Sequence, residues 1–168
     1  KISVRFAALC HDLGKSLTPT EEWPSHHGHE KAGLPLIERI SALLKVPTEC
    51  KILALKVGEY HLHCHKAFQL NASTILKMFN HLDIWRKPTV FDDFILACKA
   101  DFRGRLGFEN RPYPQEKYLR DLVLATRAVN AKSFVEQGLK GAAIKEAIGK
   151  ARLEEICAIK ERYCTESD

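Results

Sequence analysis

The sequence predicts an all-α fold, a helical core followed by a smaller helical tail. Three observations carry that expectation. Apolar residues recur at three- and four-residue steps, as in Leu34, Ile37, Ile40, Leu43 and Leu44, which gathers them on one face of a helix. Long β-branched alternations, the mark of half-buried strands, are absent. Gly and Pro fall mostly between the periodic stretches, where turns belong.

The elements follow in order. Residues 1–13 place Phe6, Leu9 and Leu13 on one side of a first helix. A loop over 14–28 is marked by Gly14, Pro19, Pro24 and Gly28. Residues 29–46 read as helix; Pro35 implies a kink or a later start, because its ring clashes with the preceding turn. "VPTECKILALKVGEYHLH" begins with Pro47 and a Thr48 cap and runs helically to about His63. "NASTILKMFNHLDIWRKP" is capped at Asn71 or Ser73 and stopped by Pro88. "TVFDDFILACKADFRGR" is a helix ending near Gly104, and "GFENRPYP" is a loop. Residues 114–130 are helical, and "GLKGAAIKEAIGKARLEEICAIKERY" closes the chain as a Gly-punctuated helix. A boundary is expected within 104–114, giving a core over 1–107 and a tail over 108–168.

Composition bounds the function classes. With 168 residues and 45% hydrophobic content, the chain can bury a sizeable core. No apolar run approaches the roughly 18 to 20 residues of a membrane span. The start, "KISVRFAALCHD", is too polar for a secretion signal, so a cytoplasmic location is expected. The six Cys are scattered without a CxxC pair. Four lie in apolar helical surroundings and read as buried free thiols rather than a disulfide framework or a zinc cage. The net charge of +5 is spread evenly; it fits a nucleic-acid partner and equally a solvated surface.

Seven of the eight His fall into three groups: His11; His26, His27 and His29; His61, His63 and His65. His11 and Asp12 are adjacent, so both reach one ion only at a helix edge facing a cleft. An imidazole with a carboxylate suits Zn, Fe, Ni or Mn better than Ca. Gly14 either ends the helix or permits close approach of a phosphate, and Lys15 offers that phosphate a point charge. An Asp near a helix C-terminus opposes the helix dipole, which favours a functional reading. Asp101 stands at the edge of a core helix, as a ligand, a cap or an ion-pair member. Arg103 and Arg105 behind it suit a phosphate or an RNA backbone, or plain solvent. The alternation of His61, His63 and His65 also fits a strand or a compositional accident.

In order, "HDLGK", "HEKAG", "EYH" and "KAD" resemble the HD-domain metal-dependent phosphohydrolases. The resemblance implies a helical fold and a divalent ion (Ni, Mg, Mn or similar). It implies metal ligation by His11, Asp12, His29, His61 and Asp101, with Asp12 able to bridge two ions. Asp12 and Lys15 take catalytic roles, and Lys15, Arg103 and Arg105 contact phosphate or RNA.

The segments "VRFAALCHDLGK", "HEKAG", "VPTEC", "WRKP", "ADFRGRLGFE", "YPQ" and "GLKGAAI" further resemble the C-terminal region of bacterial multifunctional CCA proteins, tRNA nucleotidyltransferases that carry an HD domain. That resemblance implies 2′,3′-cyclic phosphodiesterase, 2′-nucleotidase and phosphatase activities on a tRNA 3′ end or nucleotide phosphates. A Gly-Ser motif followed by paired carboxylates is absent, so CCA addition by this chain alone is not expected. The HD pattern also expects a His one helix before "HDLGK", and residues 1–10 hold none; the chain reads as a fragment that begins mid-helix. The alternatives are a non-catalytic tRNA-binding body and an HD-type nucleotidase acting on free nucleotides. No membrane partner is expected, and the oligomeric state is open.

Overall fold

The structure, a computed structural model, describes residues 1–165. Among them there is no strand. Nine helices occur: α1 (Ile2–Cys10), α2 (His29–Ala32), α3 (Leu34–Leu43), α4 (Thr48–His65), α5 (Ala72–Leu82), α6 (Pro88–Arg103), α7 (Pro114–Ala128), α8 (Lys132–Glu136) and α9 (Ala142–Thr165), with three short 3₁₀ turns. The all-α expectation is met.

Local chemistry explains the boundaries. Asn71 accepts a hydrogen bond from the Thr74 N–H and caps α5, satisfying a donor that the first helical turn leaves open. Pro35 sits in the first turn of α3, where its missing N–H costs nothing, so residues 29–46 form two helices joined at Gly33. Pro88 opens α6 in the same way, and Gly104 closes it.

Contacts divide the chain into two compact, interleaved units. The first joins residues 1–65 to 87–113; the second joins 66–86 to the segment from 114 onward. The segment 66–86, which the sequence reading places inside a core over 1–107, therefore packs with α7 and α9.

In the first unit α1 packs on both α4 and α6. Its buried residues are Val4, Ala7 and Cys10, not the expected Phe6, Leu9 and Leu13; Leu9 is 78% exposed. Small side chains bring the α1 backbone close to two neighbours at once. Phe91, Phe94, Ile95 and Cys98 of α6 and Leu53, Val57 and Cys64 of α4 are buried, each large side chain contributing about 1.5–3 kcal/mol of burial. Leu43 and Leu44, assigned by periodicity to the buried stripe, are exposed. Cys10, Cys50, Cys64 and Cys98 are buried free thiols, as expected.

In the second unit α9 packs on α5 and α7. Phe68 stacks on Tyr118 at 4.5 Å between ring centres, and Tyr118 meets Tyr163 edge-on at 4.9 Å. Arg152 lies 3.6 Å over the Trp85 ring, and Lys160 Nζ donates to the Leu70 carbonyl oxygen at 2.7 Å.

Candidate metal centre

His11 occupies the C-cap of α1, and Asp12 leads into the 3₁₀ turn Leu13–Leu17. Adjacent residues on a helix diverge. Here the chain leaves α geometry at Asp12, with φ −102° and ψ 9°, and both side chains reach the same space: His11 Nε2 lies 3.2 Å from Asp12 Oδ2.

His29, the first residue of α2, is set against this turn by a backbone clasp. A Cβ on Gly14 would stand 1.9 Å from the His29 carbonyl oxygen and 2.6 Å from the Gly33 nitrogen. A Cβ on Gly33 would stand 2.9 Å from the Gly14 nitrogen. Only two glycines allow the strands of backbone to meet this closely. Gly14 thus meets the α2 turn itself and spaces His29 relative to Asp12.

His61 comes from α4, in the helix that crosses α1 and α6, and Asp101 from the last turn of α6. His61 Nε2 lies 3.5 Å and His29 Nε2 3.1 Å from Asp12 Oδ1. Asp101 Oδ1 lies 3.4 Å from His11 Nε2. The structure therefore gathers His11, Asp12, His29, His61 and Asp101 in one place, from positions spread over ninety residues of sequence.

The imidazoles are oriented by the backbone. Nδ1 donates to a carbonyl oxygen in each case: His11 to Ala8 at 2.7 Å, His29 to His26 at 2.8 Å, His61 to Val57 at 3.0 Å. Those acceptors assign a proton to Nδ1 and turn each Nε2 toward the carboxylates. This is the arrangement in which a histidine ligates a metal, with its outer nitrogen fixed by a hydrogen bond.

His11 Nε2, Asp12 Oδ1 and His29 Nε2 are buried and have no hydrogen-bond partner. Imidazole lone pairs facing carboxylate lone pairs repel, and unpaired buried polar atoms are costly. A cation resolves both problems. The electrostatics agree. Burial opposes charge on His11, yet the Asp101 and Asp12 carboxylates beside it push its pKa up to about 10. Burial opposes charge on Asp12 too, but His11, His61 and Lys15 hold its carboxyl far below the carboxylate range. Asp101 is held low in the same way by His11 and His65. The pocket is anionic enough to draw a proton to the atom that faces both carboxylates.

The residues fit a divalent ion. The ligating atoms of His11, Asp12 and His61 lie within 4.8 Å of one another. Mixed imidazole and carboxylate donors suit Zn, Fe, Ni or Mn. Lys15 Nζ donates to Asp12 Oδ2 at 2.6 Å, so its ammonium stands at the edge of the same carboxylate. Arg103 donates to the Arg111 carbonyl oxygen at 3.3 Å, and Arg105 is exposed beyond the end of α6.

One site residue escaped the sequence reading. His65 Nε2 lies 2.6 Å from Asp101 Oδ2. The available signal was its position four residues after His61, one turn along the same helix face.

Residues 1–101 match the HD domain family. The chain is 52% identical over 162 residues to a multifunctional CCA protein of Pseudomonas fluorescens, covering 96% of this chain and 40% of that protein. It is 52% identical over 157 residues to a multifunctional CCA protein of Teredinibacter turnerae, covering 94% and 38%. The corresponding protein of Pseudomonas aeruginosa is 48% identical over 160 residues, covering 95% and 39%. The chain spans about two fifths of the length of these curated relatives. No solved structure gives a significant match. No helix among the described residues is long and apolar enough to cross a membrane.

Proposed function

The chain belongs to the HD-domain family, and we propose that it forms a divalent-metal phosphohydrolase centre acting on 2′,3′-cyclic phosphodiesters, 2′-nucleotides and phosphomonoesters. The observation that carries this reading is the convergence of three buried, unpartnered atoms, His11 Nε2, Asp12 Oδ1 and His29 Nε2, on one space. His11, Asp12 and Asp101 would hold one ion. His29 and His61, facing the other oxygen of Asp12, would hold a second, with Asp12 shared between them. A divalent ion bound there supplies Lewis acidity to a phosphoryl oxygen and acidity to a coordinated water.

The protein's own residues do the remaining work. The carbonyls of Ala8, His26 and Val57 hold the imidazoles in ligating orientation. Lys15 ties down Asp12 Oδ2 and, partly exposed, presents positive charge to an incoming phosphate. Arg103 and Arg105 at the end of α6 add positive charge near Asp101 in sequence.

Likeness to multifunctional CCA proteins favours a tRNA 3′ end as the carrier of the phosphate over a free nucleotide. A non-catalytic, tRNA-gripping role for residues 108–168 has weaker support. On helix α9 Arg152 lies over the Trp85 ring and Lys160 donates to the Leu70 carbonyl oxygen, so two of its cations are already engaged within the fold.

The test is hydrolysis of 2′,3′-cyclic AMP with added Mn²⁺, Ni²⁺ or Mg²⁺, with and without chelator. Activity should require metal, and His11→Ala or Asp12→Ala should lower it at least about 100-fold. Metal-dependent activity that survives both substitutions would falsify the reading.

A further inference from the structure

We infer that His65 is a positioning residue for Asp101, held out of the ligand set by Tyr113. The inference deepens the metal-centre reading and rests on it. His65 Nε2 lies 2.6 Å from Asp101 Oδ2, and its Nδ1 lies 2.9 Å from the Tyr113 hydroxyl. An ionised carboxylate only accepts hydrogen bonds, so Nε2 donates to Asp101, and Nδ1 is engaged by the Tyr113 hydroxyl. The Cys64 sulfur lies 3.2 Å from the Tyr113 oxygen and holds the hydroxyl from its other side. A continuous chain of hydrogen bonds results, linking Cys64, Tyr113, His65 and Asp101.

This set of partners differs from that of the other three histidines. His11, His29 and His61 donate from Nδ1 to backbone carbonyls and turn Nε2 toward Asp12. His65 engages the Tyr113 hydroxyl with Nδ1 and a carboxylate with Nε2, so both ring nitrogens are already occupied. Its effect falls on Asp101: Oδ2 is tied to His65, and Oδ1 remains 3.4 Å from His11 Nε2. The hydroxyl that fixes the pattern is itself fixed. Tyr113 is buried, its ring packed 5.1 Å from Phe102 and 5.8 Å from His65. Four histidines at one centre therefore divide into three that face the ion and one that aims a carboxylate.

The experiment measures Mn²⁺ binding by the full chain, from the resonance of free Mn²⁺, together with the unfolding midpoint. His65→Gln keeps an amide donor near the place of Nε2–H but cannot act as an imidazole ligand. His65→Ala should weaken Mn²⁺ binding about 10- to 100-fold, and His65→Gln should return it to within about threefold. In an Asp101→Ala background, His65→Ala should change nothing further. An equal and larger loss in both His65 variants makes His65 a ligand and overturns the inference. Unchanged Mn²⁺ affinity in His65→Ala, with a lowered midpoint, makes it a structural residue and also overturns it.

Nitrogen NMR of the Zn²⁺-loaded wild-type protein gives a readout that needs no variant to fold. It should place the His65 proton on Nε2; a proton on Nδ1 alone refutes the assignment. Failure of the underlying metal reading is distinguishable: His11→Ala and Asp12→Ala then leave Mn²⁺ binding unchanged, whatever His65 does.

Discussion

In the first unit, His11, Asp12 and His29 carry polar atoms into the interior and leave three of them without hydrogen-bond partners. In the second, Lys117, Asp121 and Tyr163 satisfy one another: the Lys117 ammonium donates to Asp121 at 2.7 Å and to the Tyr163 oxygen at 3.0 Å, and the Tyr163 hydroxyl donates to Asp121. The two clusters share residue chemistry, a carboxylate among donors, and differ in closure. The closed network ties α7 to α9 and asks for nothing more. The open one is complete only with something added. A buried polar group left without a partner is thus the more informative of the two, because the fold bears its cost continuously.

The open cluster is most vulnerable at Gly14. Gly14→Ala puts a methyl group 1.9 Å from the His29 carbonyl oxygen, and backbone, unlike a flexible side chain, has nowhere to go. We expect a stability loss of about 3 kcal/mol or more and loss of Mn²⁺ binding, read by urea unfolding and by Mn²⁺ titration. A variant as stable as wild type with unchanged affinity would show that the clasp does not set the site.

A smaller effect follows from pH. His11 has its pKa raised from 6.5 to about 10 in the folded chain. The stability this contributes is fully present below pH 6.5 and is lost as pH rises through 10. Asp12 and Asp101 have the opposite sign: their lowered pKa values contribute stability above the ordinary 3.8 that is lost as pH falls. Urea unfolding of the metal-free chain should therefore show declining stability from pH 7 to 10. His11→Gln should flatten that decline, and an undiminished slope would locate it elsewhere.

The smallest effect is expected at Tyr163. Tyr163→Phe opens the closed network, but water screens the cluster, so the loss should be at most about 1 kcal/mol. Mn²⁺ binding should be untouched. A loss of affinity here would mean the two clusters are energetically coupled.

What was legible in the sequence follows the range of the interactions. Helix ends depend on near neighbours, and Asn71, Pro35 and Gly104 marked them correctly; α5, expected to run to Pro88, stops at Leu82, where Asp83 turns left-handed, and Pro88 instead opens α6. His11, Asp12, His29, His61 and Asp101, which the structure brings together, were singled out because the order of the motifs groups them. The buried face of α1 was missed, since apolar spacing selects Leu9 while close packing against α4 and α6 selects Val4, Ala7 and Cys10. His65 was missed because the partners that define it, Asp101 and Tyr113, are 36 and 48 residues away. The one-turn helix α8 carries too few periodic residues to announce itself.

The Gly14–Gly33 contact has a consequence for the segment it encloses. Asp12 and His29 are registered to each other through backbone at the two ends of the loop, and the His26 carbonyl completes the alignment of His29. Residues inside the loop bear on that alignment as well: the Glu22 carbonyl oxygen accepts from the His26 N–H at 2.9 Å, and the Trp23 ring, 59% exposed, lies 5.7 Å from the His26 ring. A change of loop sequence at Glu22 or Trp23 would therefore be felt at His29, through His26, and not in the loop alone.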